Sequence, residues 1–346
     1  MEVSRDWGRE SPGSRRPAGA AKRGQPRVLG GQDEEVTDFD SDRRVDGRGR
    51  ICRDGRVSMA LFDDNFLTVL RNGMIETAEE MEGVEIQVED AQNDVAKQLD
   101  QINNFIASGV DAIIVNPVDT SATEAMTNAA ASAGVPLVFV NRQPINVDAL
   151  PDNQAFVASD ERESGTLETR EICRLLSEEG KDPARVYVMM GELSNQAAVV
   201  RTQDIHDVME SGDCEVTLEI IDEQTANWSR DEAQDLMTNW LSTGEPFDAL
   251  ISNNDEMAIG AIQAMKSAGI AMDEVIVGGV DATQDALQAM AGGDLDVTVF
   301  QDAAGQGGGA LDAALRLARG EDVDQKVYVP FQLVTPETMD QYMSKN

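Results

Sequence analysis

Residues 59–74 read MALFDDNFLTVLRNGM and join an apolar run that ends at Phe62 to a helix-like pattern. Three polar residues, Asp63, Asp64 and Asn65, separate the two. Asp and Asn are common at helix N-caps because their side chains accept hydrogen bonds from backbone N–H groups that lack a partner. One such residue suffices for a cap. Three consecutive polar residues therefore indicate that at least one of them has a role other than capping the helix.

The same change from an apolar run to a helical pattern recurs along the chain. Strand-like runs VSMALF, VEIQVED, AIIVNP and VPLVFVNRQP alternate with helical stretches over about 66–81, 94–108 and 120–133. A second series begins near residue 163, and its strand-like runs are RVYVMMGE, VTLEII, ALISNND and VIVGGVD. Alternating strands and helices predict a parallel sheet with helices on both faces. We therefore expect an α/β protein with two doubly wound parallel-sheet lobes.

The expected domain boundaries follow from this rhythm. Residues 1–55 are rich in Arg, Gly and Pro and have no apolar periodicity, so we expect a disordered or misassigned leader. They also lack the apolar central region of a signal peptide. The runs after residue 296 must be shared between the lobes. We assign residues 56–159 plus 302–330 to an N-terminal lobe and 160–301 plus 331–346 to a C-terminal lobe.

The charge of the chain excludes several classes of partner. The 346 residues carry a formal net charge of −36, which argues against binding to nucleic acid or to an anionic membrane surface. Residues 1–55 contain 12 basic and 11 acidic residues, so the remainder carries 16 basic and 53 acidic residues, a formal charge of −37. A halophilic source is our hypothesis, because concentrated salt screens such self-repulsion. The alternative is an acidic protein from a source that is not halophilic.

Cysteine usage does not decide the compartment. The three cysteines are Cys52, Cys173 and Cys214, and their spacing fits no metal site, so we expect no metal. Cys173 and Cys214 could pair, but their spacing alone gives no reason to expect a disulfide.

Polar side chains follow nearly every predicted strand. In open α/β sheets, ligands bind beyond the carboxyl ends of the strands. The residues at these positions are Asp63, Asp64, Asn65, Asn116, Asn141, Arg142, Arg201, Asn227, Trp228, Asn253, Asn254, Asp255, Asp281 and Gln301. Carboxylates accept from hydroxyl groups, whereas Arg and amides donate to them, and aromatic rings pack on C–H faces. A single strand-end Asp is usually a cap or turn residue. The set as a whole favours a neutral polyhydroxylated ring as ligand.

Seven segments carry a resemblance to a known family: ALFDDNFLTVLRNGM, EDAQNDVAKQLDQINNFIASGVDAIIVNPVDT, VPLVFVNRQP, NQAAVVRTQD, ISNNDEMAIGAIQAMKSAG, GGVDAT and VTVFQD. From about Arg56 to Val334 the chain resembles the periplasmic sugar-binding proteins of ABC importers, of the ribose-binding type. The resemblance implies a type I periplasmic binding protein whose lobes are joined by a three-segment hinge and close on a ligand. It further implies a monomeric, periplasmic or extracytoplasmic protein that delivers its ligand to ABC permease membrane subunits. A chemoreceptor is a further candidate partner.

The resemblance also implies the ligand contacts. In the N-terminal lobe they fall on Asp64, Phe66, Leu67, Asn116, Asn141 and Arg142. In the C-terminal lobe they fall on Arg201, Trp228, Asn254, Val280, Asp281 and Gln301. Ribose binders have an amide in place of Asp64, an aromatic in place of Leu67, Asp in place of Asn141 and Phe in place of Val280. FDDNF and VNRQP look more like the inositol-binding members, so myo-inositol is the favoured ligand. We expect Asp63 or Asn65 to cap the helix and Asp64 to accept from ligand hydroxyls.

The sequence also bears on two other functions. An enzyme is disfavoured because GxSxG, HExxH and Walker sequences are absent, and His206, the only histidine, lies in a stretch that predicts a surface position. We therefore expect no catalytic residues and no cofactor. AGQGGGA at 304–310 lacks the Lys-Ser/Thr end of a phosphate loop and is expected to permit close helix packing. The sugar-sensing ligand domain of a transcription regulator or chemotaxis system remains the alternative, although residues 1–55 show no helix-turn-helix pattern.

Overall fold

The computed structural model describes residues 53–345, and these contain twelve strands and nine α-helices. The strands are β1 (Arg53–Met59), β2 (Val84–Asp90), β3 (Ala112–Val115), β4 (Leu137–Val140), β5 (Gln154–Ala158), β6 (Ala184–Met190), β7 (Leu218–Thr225), β8 (Ala249–Ser252), β9 (Ile276–Val277), β10 (Thr298–Phe300), β11 (Lys326–Tyr328) and β12 (Gln332–Val334). The helices are α1 (Asn65–Glu80), α2 (Val95–Ser108), α3 (Thr123–Ala133), α4 (Glu161–Glu178), α5 (Gln196–Ser211), α6 (Arg230–Ser242), α7 (Asp255–Ser267), α8 (Gln284–Ala291) and α9 (Ala303–Ala318).

The first sheet has six strands in the order β11-β5-β4-β3-β1-β2, and all neighbours are parallel. We call this sheet and its helices the N-terminal lobe. Helices α1 and α9 cover one face, and α2 and α3 cover the other. Strands β3, β4 and β5 are buried along their whole length, since helices exclude water from both faces.

The second sheet has four parallel strands in the order β7-β6-β8-β9. Parallel bridges at Gly278–Val297 and Asp281–Phe300 extend it towards β10, which pairs antiparallel with β12. We call this sheet and its helices the C-terminal lobe. Helices α6, α7 and α8 pack on one face, and α4 and α5 pack on the other. The predicted parallel sheets, covered by helices on both faces, are confirmed.

The chain passes between the sheets three times. It leaves the first sheet after β5 to form α4, returns from β10 into α9, and crosses again between β11 and β12. The crossings are short: residues 159–160, 301–302 and 329–331.

Glycines allow close approach of α1 and α9. A Cβ on Gly307 would lie 2.6 Å from the Leu70 carbonyl oxygen, and one on Gly73 would lie 2.9 Å from Ala304 Cα. Both distances are too short for a larger residue, so the two helices can pack at this separation only through glycine. The prediction that AGQGGGA permits close helix packing is confirmed.

The start and end of β1 differ from the sequence prediction. The strand begins at Arg53, within the predicted leader, and ends at Met59 rather than Phe62. Arg53–Gly55 pair with Val84–Ile86 of β2, so backbone hydrogen bonding extends the strand through polar residues. The Asp54 N–H also donates to Asp111 Oδ2 at 2.9 Å. The rest of the predicted leader, residues 1–52, lies outside the described residues.

A disulfide joins Cys173 on α4 to Cys214, which precedes β7, with an S–S distance of 1.99 Å. The sequence left this pairing open. Within residues 53–345, no group of His, Cys, Asp or Glu is arranged to hold a metal ion, and no helix is both long and apolar enough to cross a bilayer.

Candidate functional site: a polar cavity between the two sheets

A small polar cavity lies where the strand ends of the two lobes face each other. Its lining includes ten of the twelve residues that the resemblance implied. They are Asp64, Phe66, Leu67, Asn141, Arg142, Arg201, Trp228, Asn254, Asp281 and Gln301. Glu161, Asn195 and Ala197 also line it and were not predicted.

The N-caps of three helices line the cavity. Asp64 Oδ1 accepts from the Leu67 N–H at 2.7 Å and caps α1. Asn195 caps α5 through the Ala197 N–H at 3.1 Å. Asn254 caps α7 through the Met257 N–H at 3.0 Å. The N-termini of α1, α5 and α7 therefore point their positive dipole ends at one cavity.

The prediction that Asp63 or Asn65 caps α1 is wrong. Asp64 has the extended backbone of an N-cap (φ −144°, ψ 132°), Asp63 precedes it, and Asn65 is the first helical residue. Asp64 thus combines two roles that the sequence analysis assigned to different residues, because its Oδ1 serves the cap while its side chain lines the cavity.

Backbone strain is concentrated at the cavity. Asn141 (φ 65°), Trp228 (φ 63°) and Asp281 (φ 125°) all have positive φ, and so do Asn227 and Ala282 beside them. Non-glycine residues in these regions cost roughly 1–3 kcal/mol each and are found mostly at functional sites. Strained backbone thus orients three of the lining side chains.

Asp64 and Arg142 are charged groups of the N-terminal lobe that line the cavity. Arg142 Nη1 donates to the carbonyl oxygens of Pro117 and Val118 at 3.0 and 3.2 Å. Neither Asp64 nor Arg142 forms an ion pair within 4 Å in the described part of the chain. Burial raises the pKa of Asp64 and lowers the pKa of Arg142. A hydrogen-bonding ligand in the cavity would stabilise both charges.

The guanidinium of Arg201 forms the corresponding centre in the C-terminal lobe. It makes an ion pair with Glu161 through contacts of 2.7 and 3.2 Å and donates to the Asn253 carbonyl at 2.7 Å. It also donates to Gln301 Oε1 at 3.2 Å and lies 3.8 Å from Asp281 Oδ1. Burial raises the pKa of Asp281 well above its usual range, although Arg201 opposes this shift.

Trp228 supplies an aromatic wall. A Cβ on Gly191 would lie 2.1 Å from its benzo ring, so only glycine allows the ring to pack on that backbone. The Arg201 guanidinium lies 5.7 Å from the ring centroid, within the range of a cation–π contact.

Asn116 and Val280 do not line the cavity. Asn116 is fully buried, where it accepts from the Ala60 N–H and donates to the carbonyl of Val140 and to Asn141 Oδ1, each at 3.3 Å. It therefore supports Asn141 from behind. Val280 packs in an apolar cluster with Val299 and Phe331. Val280 therefore faces this cluster, whereas the next residue, Asp281, lines the cavity from a backbone with positive φ.

Glu161, Asn195 and Ala197 were missed because each lies at a helix N-terminus: Glu161 begins α4, Asn195 caps α5 and Ala197 is in the first turn of α5. An acidic first turn and an Asn cap are ordinary stabilising features, and alanine carries no functional group. Glu161 is almost fully buried, at 5% exposure, in a first turn that usually faces solvent. That burial is visible only in the folded chain.

The family description "Periplasmic binding protein domain" matches residues 55–322. The chain belongs to this family. A protein of Rhizobium meliloti, whose name proposes rhizopine as its ligand, is 62% identical over 290 residues, which are 84% of this chain and 92% of the relative. The type I fold and the ribose-binding-type resemblance predicted from the sequence are confirmed.

Two solved structures add to this result. An ABC transporter solute-binding protein from Bacillus halodurans with bound myo-inositol is 41% identical, with a TM-score of 0.78, over 85% of this chain and 98% of that one. A myo-inositol-binding protein of Caulobacter, bound to myo-inositol, is 27% identical, with a TM-score of 0.73, over 83% and 95%. The chain is therefore a solute-binding protein of the ABC transporter type for sugars or polyols, and it is not an enzyme.

Proposed function

We propose that the chain captures a neutral cyclic polyol, myo-inositol above all, between its lobes and delivers it to an ABC permease. The observation that carries the proposal is that each lobe contributes a carboxyl group and a guanidinium to one small cavity; three of these side chains are buried, and Asp64 is half-buried. Asp64 and Arg142 come from the N-terminal lobe, and Asp281 and Arg201 come from the C-terminal lobe. The bound myo-inositol of the 41% identical Bacillus halodurans protein supports this ligand.

The chemistry of the cavity suits a ring with hydroxyl groups on every side. Each hydroxyl both donates and accepts, so it can donate to a carboxylate such as Asp64 and accept from a guanidinium such as Arg142. Phe66 and Trp228 provide apolar surface for the C–H faces of the ring.

Entry of the ligand requires the lobes to separate. Asp64 and Asp281 line the same cavity from different lobes, so a ligand that contacts both is held between the lobes. The short crossings at 159–160, 301–302 and 329–331 are the segments about which the lobes would rotate. We place the hinge there.

Rhizopine is a second candidate ligand. The relative named for it is 62% identical to this chain over 92% of its own length. That identity is higher than the 41% shared with the Bacillus halodurans protein that binds myo-inositol.

A periplasmic or extracytoplasmic location is part of the proposal. The disulfide between Cys173 and Cys214 supports it, because disulfides persist in oxidising compartments. The family is one of periplasmic binding proteins. In that location the partners would be the permease subunits and a chemoreceptor, and the protein would act as a monomer.

Titration calorimetry with a panel of ligands tests the proposal. The panel contains myo-inositol, rhizopine, ribose, galactose and the linear polyol xylitol, each added to the full chain. We expect one site per chain and the tightest binding for myo-inositol or rhizopine. Tightest binding of ribose or of xylitol would contradict the proposal that the ligand is a cyclic polyol.

A further inference from the structure

A hydrogen bond crosses the cleft beside the cavity. Asn65 Nδ2, in the first turn of α1, donates to Glu256 Oε1, in the first turn of α7, at 2.8 Å. Asn65 follows the cavity residue Asp64, and Glu256 lies two residues after Asn254, which also lines the cavity. The bond therefore links the lobes directly at the mouth of the site.

Glu256 is held in place from within its own lobe. Arg230 Nε and Nη2 donate to the two oxygens of Glu256 at 2.8 and 2.9 Å, and Nη2 also donates to Asp285 at 2.8 Å. Gly260, one turn after Glu256 on the same face of α7, allows this arrangement. A Cβ there would lie 2.1 Å from the Arg230 carbonyl oxygen. The acceptor is thus fixed before the lobes meet.

A second bridge lies at another point on the rim of the cavity. The N–H and Oγ1 of Thr120 donate to the Ser194 carbonyl oxygen at 3.2 and 3.0 Å, and a longer contact of 3.5 Å joins Asn93 Nδ2 to Glu192. In all these bridges the N-terminal lobe supplies neutral donors and the C-terminal lobe supplies acceptors. In these bridges no carboxylate of one lobe is placed directly against a carboxylate of the other.

We infer that Asn65 and the Arg230-supported Glu256 form a latch that sets how long the ligand stays bound. The inference rests on the proposed function, because it takes a polyol as the enclosed ligand. Neither Asn65 nor Glu256 lines the cavity, so the latch acts on affinity without touching the ligand. It forms as the lobes close, and it must break before the ligand leaves.

Exchanging donor for acceptor tests the latch. Asn65→Asp places a carboxylate against Glu256, so stopped-flow measurements should show dissociation of myo-inositol about tenfold faster, equivalent to about 1.4 kcal/mol, with little change in the association rate. Adding Glu256→Gln restores a donor and acceptor pair across the cleft and should recover most of the slow dissociation. Asn103→Asp, at an exposed position on α2, makes the same chemical change away from the cleft and should leave both rates unchanged.

The outcomes separate the latch from the proposed function. If the unmutated protein binds no member of the polyol and sugar panel, the proposed function fails and the latch fails with it. If the polyol binds but Asn65→Asp dissociates at the unmutated rate, the latch alone is rejected. Equal acceleration in the single and double variants would also overturn it, because the effect would then not arise from the pair.

Discussion

Asp64 and Asn254 cap helices of opposite lobes, and both line the same cavity. Asp64 Oδ1 accepts from the Leu67 N–H at 2.7 Å, and Asn254 Oδ1 accepts from the Met257 N–H at 3.0 Å. Each residue thus contributes to the stability of its own lobe and to the lining of the shared site. Loss of stability and loss of binding must therefore be separated at these positions.

Two substitutions of Asp64 separate its effect on stability from its effect on binding. Asn is as good an N-cap as Asp, so Asp64→Asn should keep the melting temperature while weakening myo-inositol binding at least tenfold, because the buried acceptor charge is lost. Asp64→Ala should lose about 1 kcal/mol of stability in addition. Thermal unfolding and calorimetry of both variants check this, and full binding by Asp64→Asn would exclude the carboxylate from recognition.

Removal of one ionisable side chain from either lobe should weaken binding. Arg142→Ala and Asp281→Ala each leave polar groups of the buried ligand without a partner, which costs roughly 1–3 kcal/mol, or about tenfold or more in Kd. Trp228→Ala should weaken binding by removing the apolar wall. His206→Ala is the control, since His206 lies on the surface against Glu223. Normal myo-inositol binding by both Arg142→Ala and Asp281→Ala would refute the assignment of these residues to the binding site.

Stability should fall as the pH rises towards neutral. Burial, and then the charges of Glu161 and Asp207, raise the pKa of Asp204 to about 7. The ordinary value is about 3.9, so between about pH 4 and pH 7 the folded state binds more protons than the unfolded state. The contribution is full at low pH and is lost as the pH rises. Asp255, whose pKa burial also raises to about 7, acts in the same direction.

Denaturant unfolding from pH 4 to pH 8 measures this slope. Asp204→Asn should flatten the curve relative to the unmutated chain and gain stability at pH 8, because the asparagine has no charge to desolvate. Asp204 Oδ2 has no hydrogen-bond partner in the described structure, so the substitution breaks no bond at that atom. Parallel curves for the two proteins would show that Asp204 does not titrate as described.

One thiol should react in the unfolded, unreduced protein. The chain has three cysteines, and pairing of Cys173 with Cys214 leaves only Cys52. Reduction should expose all three and lower the free energy of unfolding by about 3–4 kcal/mol, as expected for a loop closed across 41 residues. Thiol titration before and after reduction, with unfolding curves of both forms, tests the disulfide.

Much of the fold could be read from the sequence because apolar runs and helical stretches alternate regularly. The predicted start and end of individual strands were less accurate. Pairing with β2 extends β1 back to Arg53, and no apolar pattern marks those residues. The disulfide was equally hidden, since a separation of 41 residues says nothing about the proximity of Cys173 and Cys214.

Site residues were predicted where a polar or aromatic side chain follows the end of a predicted strand. They were missed where a residue's role depends on partners that are distant in the sequence. Glu161 resembles an ordinary acidic first turn until Arg201, forty residues later in the chain, is placed against it. Asn116 has the expected chemistry, but its hydrogen bonds are made within the lobe. Val280 packs with Val299 and Phe331, a contact that depends on a segment 51 residues further along the chain and that no local pattern marks.

A crystal structure of the full chain grown with myo-inositol tests the central claim most directly. We predict one ring in the cavity, with hydroxyl groups within hydrogen-bond distance of Asp64 and Arg142 from one lobe and of Asp281 and Arg201 from the other. Density for the ring outside this cavity, or contacts from a single lobe only, would contradict the account.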